Sequence, residues 1–330
     1  FAMKTLSKLL KKIPRVQLIY APTPLHPLKK KNDIFHSVNQ YIKRDDLTGL
    51  GPGGNKIRSL EFILGDAMDK SADFIITSGP LQSNLCALTA AACSRLSLPC
   101  LLVFNGEEPK RLEGNLLLDQ LLGAELRYVG NCDSSQRAIN VELERQRLLN
   151  EGYHPYVVEN GATTGYGVLG YTAAVEELLS QCREKELSNV TIFAPGGNGG
   201  VAAGLLYGNA LLDFPFRIVV ISVEDEKKVL IEHIEKVLRE TEEIIGVPCP
   251  NAVPELGEIV DDYRGSGWGK NTKESEKMVL QFARDEGIFI ENIYNSKVVV
   301  GMKDWIEKGK VMGTACYLHT GGFGSLFSQY

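Results

Sequence analysis

At roughly 150 residues per domain, a chain of 330 residues is long enough for two domains and for a core that needs no disulfide staples. Hydrophobic residues make up 44% and charged residues 23%, which excludes a disordered chain, a collagen-like repeat and a coiled coil. With 36 Lys and Arg against 41 acids, the formal charge of −5 argues against a general grip on nucleic acid and leaves a small molecule as the expected partner.

In chain order, the first 32 residues carry seven Lys, one Arg and no acid. They lack the apolar stretch of an export signal, so a solvated amphipathic helix is expected there. Phe1-Ala2, ahead of Met3, reads as left over from an expression tag. From about residue 70, short β-branched or aromatic runs alternate with helical patterns. Strands are expected over 74–77, 101–104, 125–129, 156–158, 191–194, 218–223 and 315–318. Helices are expected over 83–95, 115–122, 135–149, 167–180, 200–211, 227–245, 273–286 and 297–308. This alternation predicts an α/β protein of twisted parallel sheets flanked by helices. Residues 187–212 hold no charge over a membrane's length, but Pro195 and six glycines divide them into strand, loop and helix, and no membrane partner is expected. Seven cysteines without a C-x-x-C pair point to free thiols in a reducing, cytoplasmic compartment. The five histidines, His36 among them, show no ligand spacing, so no metal site is expected.

Five segments could carry chemistry. Ala194-Pro195-Gly196-Gly197-Asn198-Gly199-Gly200-Val201 follows an apolar strand and opens a helix, where free N–H groups and the positive end of the dipole suit a phosphate. Tight strand-to-helix packing would account for the same glycines. Gly53-Gly54-Asn55-Lys56 places a lysine at a helix start, where a partly apolar pocket would favour its neutral, nucleophilic form. A solvated surface lysine is the competing account. Gln82-Ser83-Asn84-Leu85 sits at another helix start, able either to cap it or to grip a carboxylate. Ile293-Tyr294-Asn295-Ser296-Lys297 offers a phenol that could exchange protons, or simply a core aromatic, and His319-Thr320-Gly321-Gly322 closes the set.

In this order the five segments resemble the pyridoxal-phosphate enzymes of the tryptophan synthase β-subunit fold, in the group of D-cysteine desulfhydrase and 1-aminocyclopropane-1-carboxylate deaminase. The resemblance runs from about Pro14 to Phe327. It implies a larger cofactor-binding domain of residues 1–57 and 164–330, a smaller α/β domain of 58–163, and a cytoplasmic homodimer. It also implies that Lys56 carries pyridoxal 5'-phosphate covalently and later moves the substrate's α-proton. Gly196, Gly197, Asn198, Gly199 and Gly200 would cradle the phosphate, and Asn84 would hydrogen-bond the pyridine hydroxyl. Ser83, with the amides of Asn84 and Leu85, would face the substrate carboxylate, and Tyr294 matches a pocket tyrosine. The protein then supplies orientation and proton traffic to the cofactor's electron sink.

The chain departs from the group at several points. Leu85 stands where His or Gln is common, Asn198 where Thr often occurs, Ser59 where a second basic residue is usual, and Trp268 at what looks like a second pocket tyrosine. Asn295 follows Tyr294 where deaminases carry an acid, which leaves Asn295 and Thr320 as candidates to face the pyridine nitrogen. The expected activity is β-elimination on a small amino acid, with D-cysteine the reference substrate and pyruvate, ammonia and sulfide the products. Deaminase-like, racemase or other lyase activity, or cofactor binding with little turnover, are the alternatives. A nucleotide-dependent oxidoreductase would need a G-x-G-x-x-G fingerprint that is absent.

Overall fold

A computed structural model describes residues 3–29 and 37–330; Phe1, Ala2 and His36 lie outside the described residues. The chain opens with helix α1 (Met3–Leu10), strand β1 (Leu25–Pro27) and strand β2 (Asn39–Arg44). Helix α2 (Lys56–Asp69) leads into a parallel block of β3 (Phe74–Gly79), α3 (Asn84–Leu96), β4 (Cys100–Phe104), α4 (Gly114–Leu121), β5 (Glu125–Tyr128), α5 (Ser134–Asn150) and β6 (Pro155–Val157). Helix α6 (Gly165–Glu184) returns the chain to a second block of β7 (Val190–Gly196), α7 (Gly200–Leu211), β8 (Arg217–Ser222), α8 (Lys227–Ile245), α9 (Val253–Leu256) and β9 (Glu258–Val260). Helices α10 (Lys273–Glu286) and α11 (Asn295–Glu307), strand β10 (Thr314–His319) and the short α12 (Phe323–Leu326) complete it.

The strands form two sheets, one ordered β1-β2-β10-β7-β8-β9 and one ordered β5-β4-β3-β6. Every pairing is parallel except that of β1 with β2. Strands β4, β7 and β10 are buried along their whole length, as apolar strands covered by helices on both faces should be. Each sheet reverses its winding once. In the smaller sheet β3, β4 and β5 step one way and β6 falls on the other side of β3; in the larger, β7, β8 and β9 step one way and β10 falls on the other side of β7. Beyond the carboxyl ends of strands at such reversals lie the crevices where α/β sheets bind ligands.

The expected strands and helices all occur, with ends shifted by a few residues, and the uncharged stretch 187–212 is β7, its loop and α7. Not anticipated were β1, β9, α9 and α12, each only three or four residues long, nor β2. β2 reads as surface because it is Asn-Gln-Tyr-Ile-Lys-Arg, yet its Lys43 is only 2% exposed. The Lys43 ammonium is held by Glu177, Gln181 and the Thr23 carbonyl. Beside it, Asp45 receives Arg58 Nε at 2.6 Å and the Tyr171 hydroxyl at 2.7 Å. Burial pushes the Asp45 carboxyl up, but Arg58 outweighs it and holds the pKa down at about 2. This buried ion cluster ties the first turn of α2 to β2 and α6, two residues from Lys56.

Candidate active site

A cavity of about 380 Å³ lies where the two reversals face each other. Of the thirteen residues expected to face cofactor or substrate (Lys56, Ser83, Asn84, Leu85, Gly196, Gly197, Asn198, Gly199, Gly200, Trp268, Tyr294, Asn295 and Thr320), twelve line it. The exception is Gly196. It is the last residue of β7, its carbonyl accepts from Val223 N at 2.9 Å, and a side chain there would point into Leu230 and Val220. It therefore faces the core.

Lys56 is the first residue of α2, and its Nζ donates to the Gly161 carbonyl at 2.6 Å. Gly161 presents that oxygen at φ +66°, in the left-handed region. Burial alone pulls the Lys56 pKa down to about 8. The loop before it is stitched to the loop after β10: Gly54 and Gly321 form a bridge, and Asn55 N donates to the Thr320 carbonyl at 3.0 Å. A Cβ on Gly321 would lie 2.7 Å from the Gly54 Cα, so the two loops can meet only as glycine on glycine.

Opposite Lys56, Gly197, Asn198 and Gly199 lead into α7, whose first-turn N–H groups have no carbonyl of their own helix to bond. At the start of α3, Ser83 is the cap, its Oγ accepting from Cys86 N at 3.2 Å, which leaves its hydroxyl proton free to donate. Capping and cavity lining thus coexist in one residue. The Asn84 Oδ1 accepts from Asn115 at 2.9 Å, an arrangement that fixes the amide and leaves its Nδ2 to give.

Tyr294 is the residue before α11, and its hydroxyl accepts from Trp268 Nε1 at 2.7 Å. Burial pushes the phenol well above its ordinary pKa, so it stays protonated and keeps a proton it can donate. Asn295 is buried and its amide is fully committed. Oδ1 accepts from the Tyr317 hydroxyl at 2.7 Å and from Thr320 N at 3.0 Å, while Nδ2 donates to Glu291 at 2.9 Å and to the Gly321 carbonyl at 3.0 Å. No donor of Asn295 is left for a ring nitrogen, whereas the Thr320 hydroxyl has only a 3.3 Å contact to Asn295 to give up. His319 is neutral and structural: its Nε2 donates to the Phe289 carbonyl at 2.8 Å and its Nδ1 accepts from Gly321 N at 3.0 Å, while burial lowers its pKa.

Sequence reasoning missed Glu291, Glu224, Arg137, Asn105 and Asn160, all on the cavity wall. Glu291 is 1% exposed and accepts from the amides of Ile293, Tyr294 and Asn295 at 2.6 to 3.0 Å. An acid just ahead of a helix start was the signal for it. Glu224 is a half-buried acid whose pKa burial raises; it sits in a loop with no motif, as does Asn105, while Asn160 opens a single 3-10 turn over Asn160–Ala162.

The residues present fit pyridoxal phosphate: an amine whose pKa burial lowers to about 8, a helix start for the phosphate and a fixed amide donor. Comparison with known proteins agrees. Residues 16–321 match the family described as pyridoxal-phosphate dependent enzyme. The chain is 36% identical over 320 residues to a protein of Pyrococcus abyssi assigned as a 1-aminocyclopropane-1-carboxylate deaminase, covering 97% of this chain and 94% of that one. It is 31% identical over 330 residues to the D-cysteine desulfhydrase of Salmonella typhi, covering 97% and 98%. The crystal structure of an ACC deaminase homologue superposes with a TM-score of 0.88 at 36% identity, over 98% of this chain and 96% of that one.

Proposed function

Because the chain belongs to the pyridoxal-phosphate dependent enzymes, we propose that it is a lyase that eliminates the β-substituent of a small amino acid, with D-cysteine the reference substrate. The observation that carries this reading is the state of the groups around Tyr294. Opening a cyclopropane that has no α-hydrogen requires a proton relay aimed at the ring carbons, and the hydroxyl of Tyr294 is paired here with an indole, which is neither acid nor base. The nearest carboxylate in sequence, Glu291, is spent on the amides that begin α11. β-Elimination asks less: one base for the α-proton and one donor for the leaving group.

Lys56 would bear the cofactor and then hold the α-proton on Nζ, its low pKa keeping it a competent base near neutrality. The amides of Gly197 to Gly200 would take the phosphate, Asn84 Nδ2 the pyridine hydroxyl and Thr320 the ring nitrogen. The bound cofactor supplies the electron sink for the carbanion. Ser83 and the free amides of Asn84 and Leu85 would orient the substrate carboxylate, and Tyr294, protonated, would donate to the departing thiolate.

A homodimer is part of the proposal, and it is supported by Phe289, Phe323 and Phe327, which are 57%, 45% and 61% exposed and touch ring to ring. So is a cytoplasmic location, in keeping with seven free cysteines. Among the described residues no helix is long and apolar enough to cross a membrane.

The test is a product assay with both substrates. D-cysteine or a related thiol amino acid should yield pyruvate, with little 2-oxobutanoate from 1-aminocyclopropane-1-carboxylate. Equal turnover of the cyclopropane would favour the deaminase reading, to which the relatives' assignments point. Silence on both would favour a different substrate class for this pocket, with Leu85 and Trp268 the first positions to change.

A further inference from the structure

Arg137, on α5, is 6% exposed and lines the cavity. Its Nη1 donates to Asn105 Oδ1 at 2.7 Å and its Nη2 to Asn160 Oδ1 at 3.1 Å. Both partners are neutral amides. A guanidinium has five N–H bonds, so three remain without a protein acceptor. Among the described residues no carboxylate lies within ion-pair distance, and burial pulls its pKa down, as befits a charge that has lost water and gained no counter-ion. Buried charges are normally paired, and leaving one unpaired is expensive. A planar fork of donors is also the group best suited to a carboxylate, sulfate or phosphate held by two bonds.

Its position connects it with the reaction. Asn160, which holds one arm of the guanidinium, precedes Gly161, whose carbonyl holds Lys56 Nζ. Ser78, Asn105 and Ser134 complete a polar wall built entirely from the ends of the smaller sheet and from α5. The two anions already expected in the site have their own receptors, the phosphate at α7 and the α-carboxylate at α3. We propose that the Arg137 wall receives a third anion, a negatively charged group on the substrate's side chain. The preferred ligands would then be amino acids with an anionic group on the β-carbon rather than neutral ones, turned over where that group can leave with its electron pair, as a sulfate ester can.

The proposal rests on the placement of Lys56 and Ser83 given above. For serine O-sulfate the reaction would pass the α-proton to Lys56 and break the Cβ–O bond with its electron pair going to sulfate. Water then completes the release of pyruvate, ammonium and a proton.

Two measurements on the cofactor-loaded protein test it. The first is binding, read from the cofactor's visible absorbance, of racemic aspartate against racemic alanine, in the wild type and in Arg137→Gln and Arg137→Lys. Aspartate should bind at least tenfold more tightly than alanine in the wild type. The ratio should collapse in Arg137→Gln and be partly kept by Arg137→Lys, which retains the charge and loses the fork. A ratio near one in the wild type, binding of neither, or a ratio that survives Arg137→Gln overturns the proposal. Because the ratio is taken within each protein, a general loss of folding or of cofactor cancels. The second is the kcat/KM of serine O-sulfate over that of β-chloroalanine, which should exceed ten in the wild type and fall towards one in Arg137→Gln. An equal fall for both substrates would mean that Arg137 serves the α-carboxylate and would also overturn it. Failure of the lyase reading shows separately, as absence of pyruvate from β-chloroalanine, and leaves the binding ratio to decide on Arg137.

Discussion

Lys56 should capture the cofactor at a pH where an ordinary lysine would be almost inert. Only the neutral amine attacks an aldehyde, and burial lowers the Lys56 pKa from 10.5 to about 8 with no acid beside it to restore the charge. At pH 7 roughly one molecule in ten then carries the neutral amine, against about three in ten thousand for an ordinary lysine, a gain of roughly 300-fold in reactive form. Apoprotein mixed with pyridoxal phosphate over pH 6.5 to 10.5, trapped with borohydride at short times and mapped by peptide, should therefore show labelling of Lys56 that is half-maximal near pH 8. The same shift has a consequence for stability. Between about pH 8 and 10.5 the unfolded chain binds the proton that the folded chain has released, so the apoprotein should gain stability as pH rises through that window, and below it should bear the full cost of a buried ammonium. Lys56→Met should remove this dependence and be the more stable protein at pH 7. Labelling that climbs only above pH 10, or modification of another lysine, would refute the reasoning.

Ser83→Ala should lower turnover by roughly 10², and loss of the cap on Cys86 N should cost about 1 kcal/mol in denaturant unfolding; a loss of stability with full activity would reduce Ser83 to a cap. Gly197→Asp should weaken cofactor affinity, measured by absorbance titration, because the new Cβ would come 3.1 Å from the Tyr294 ring. Its charge at the start of α7 adds about 1 kcal/mol or more, and unchanged affinity would move the phosphate elsewhere. Tyr294→Phe should slow elimination more for poor leaving groups than for good ones, whereas Trp268→Phe, which removes only the bond that aims the hydroxyl, should act in the same direction and less strongly. Equal effects across leaving groups would take Tyr294 out of proton donation.

The parts of this architecture that announce themselves in sequence are those where local pattern and tertiary role agree. β7 and α7 are apolar, separated by glycines, and fold as strand, loop and helix. Lys56 could be singled out because a Gly pair and a helix start flank it. β2 hides because its burial is bought with partners 130 or more residues away, Glu177 and Gln181, and no window of sequence contains that exchange. Arg137 and Glu291 hide for the opposite reason: each has the spacing of an ordinary helix-surface or loop charge, and only the assembled cavity shows what surrounds it. Asn295 was visible as a pocket position, but its four partners come from residues 291 and 317 to 321, so its lack of a spare donor was not.

Strand β10 lies between β2 and β7, in the middle of the larger sheet, although it is the last of the described strands to be synthesised. The smaller sheet draws on residues 74–157 alone and can zip up while the rest is still being made. The larger one must keep a slot open between two parallel neighbours until residues 314–319 arrive. Gly321, two residues further on, is what closes against Gly54 and sets the turn before Lys56. Vitamin loading should therefore wait until residues 314–321 have been made. A nascent chain halted before Thr314 should resist protease only around the smaller sheet and should leave added pyridoxal phosphate free in solution.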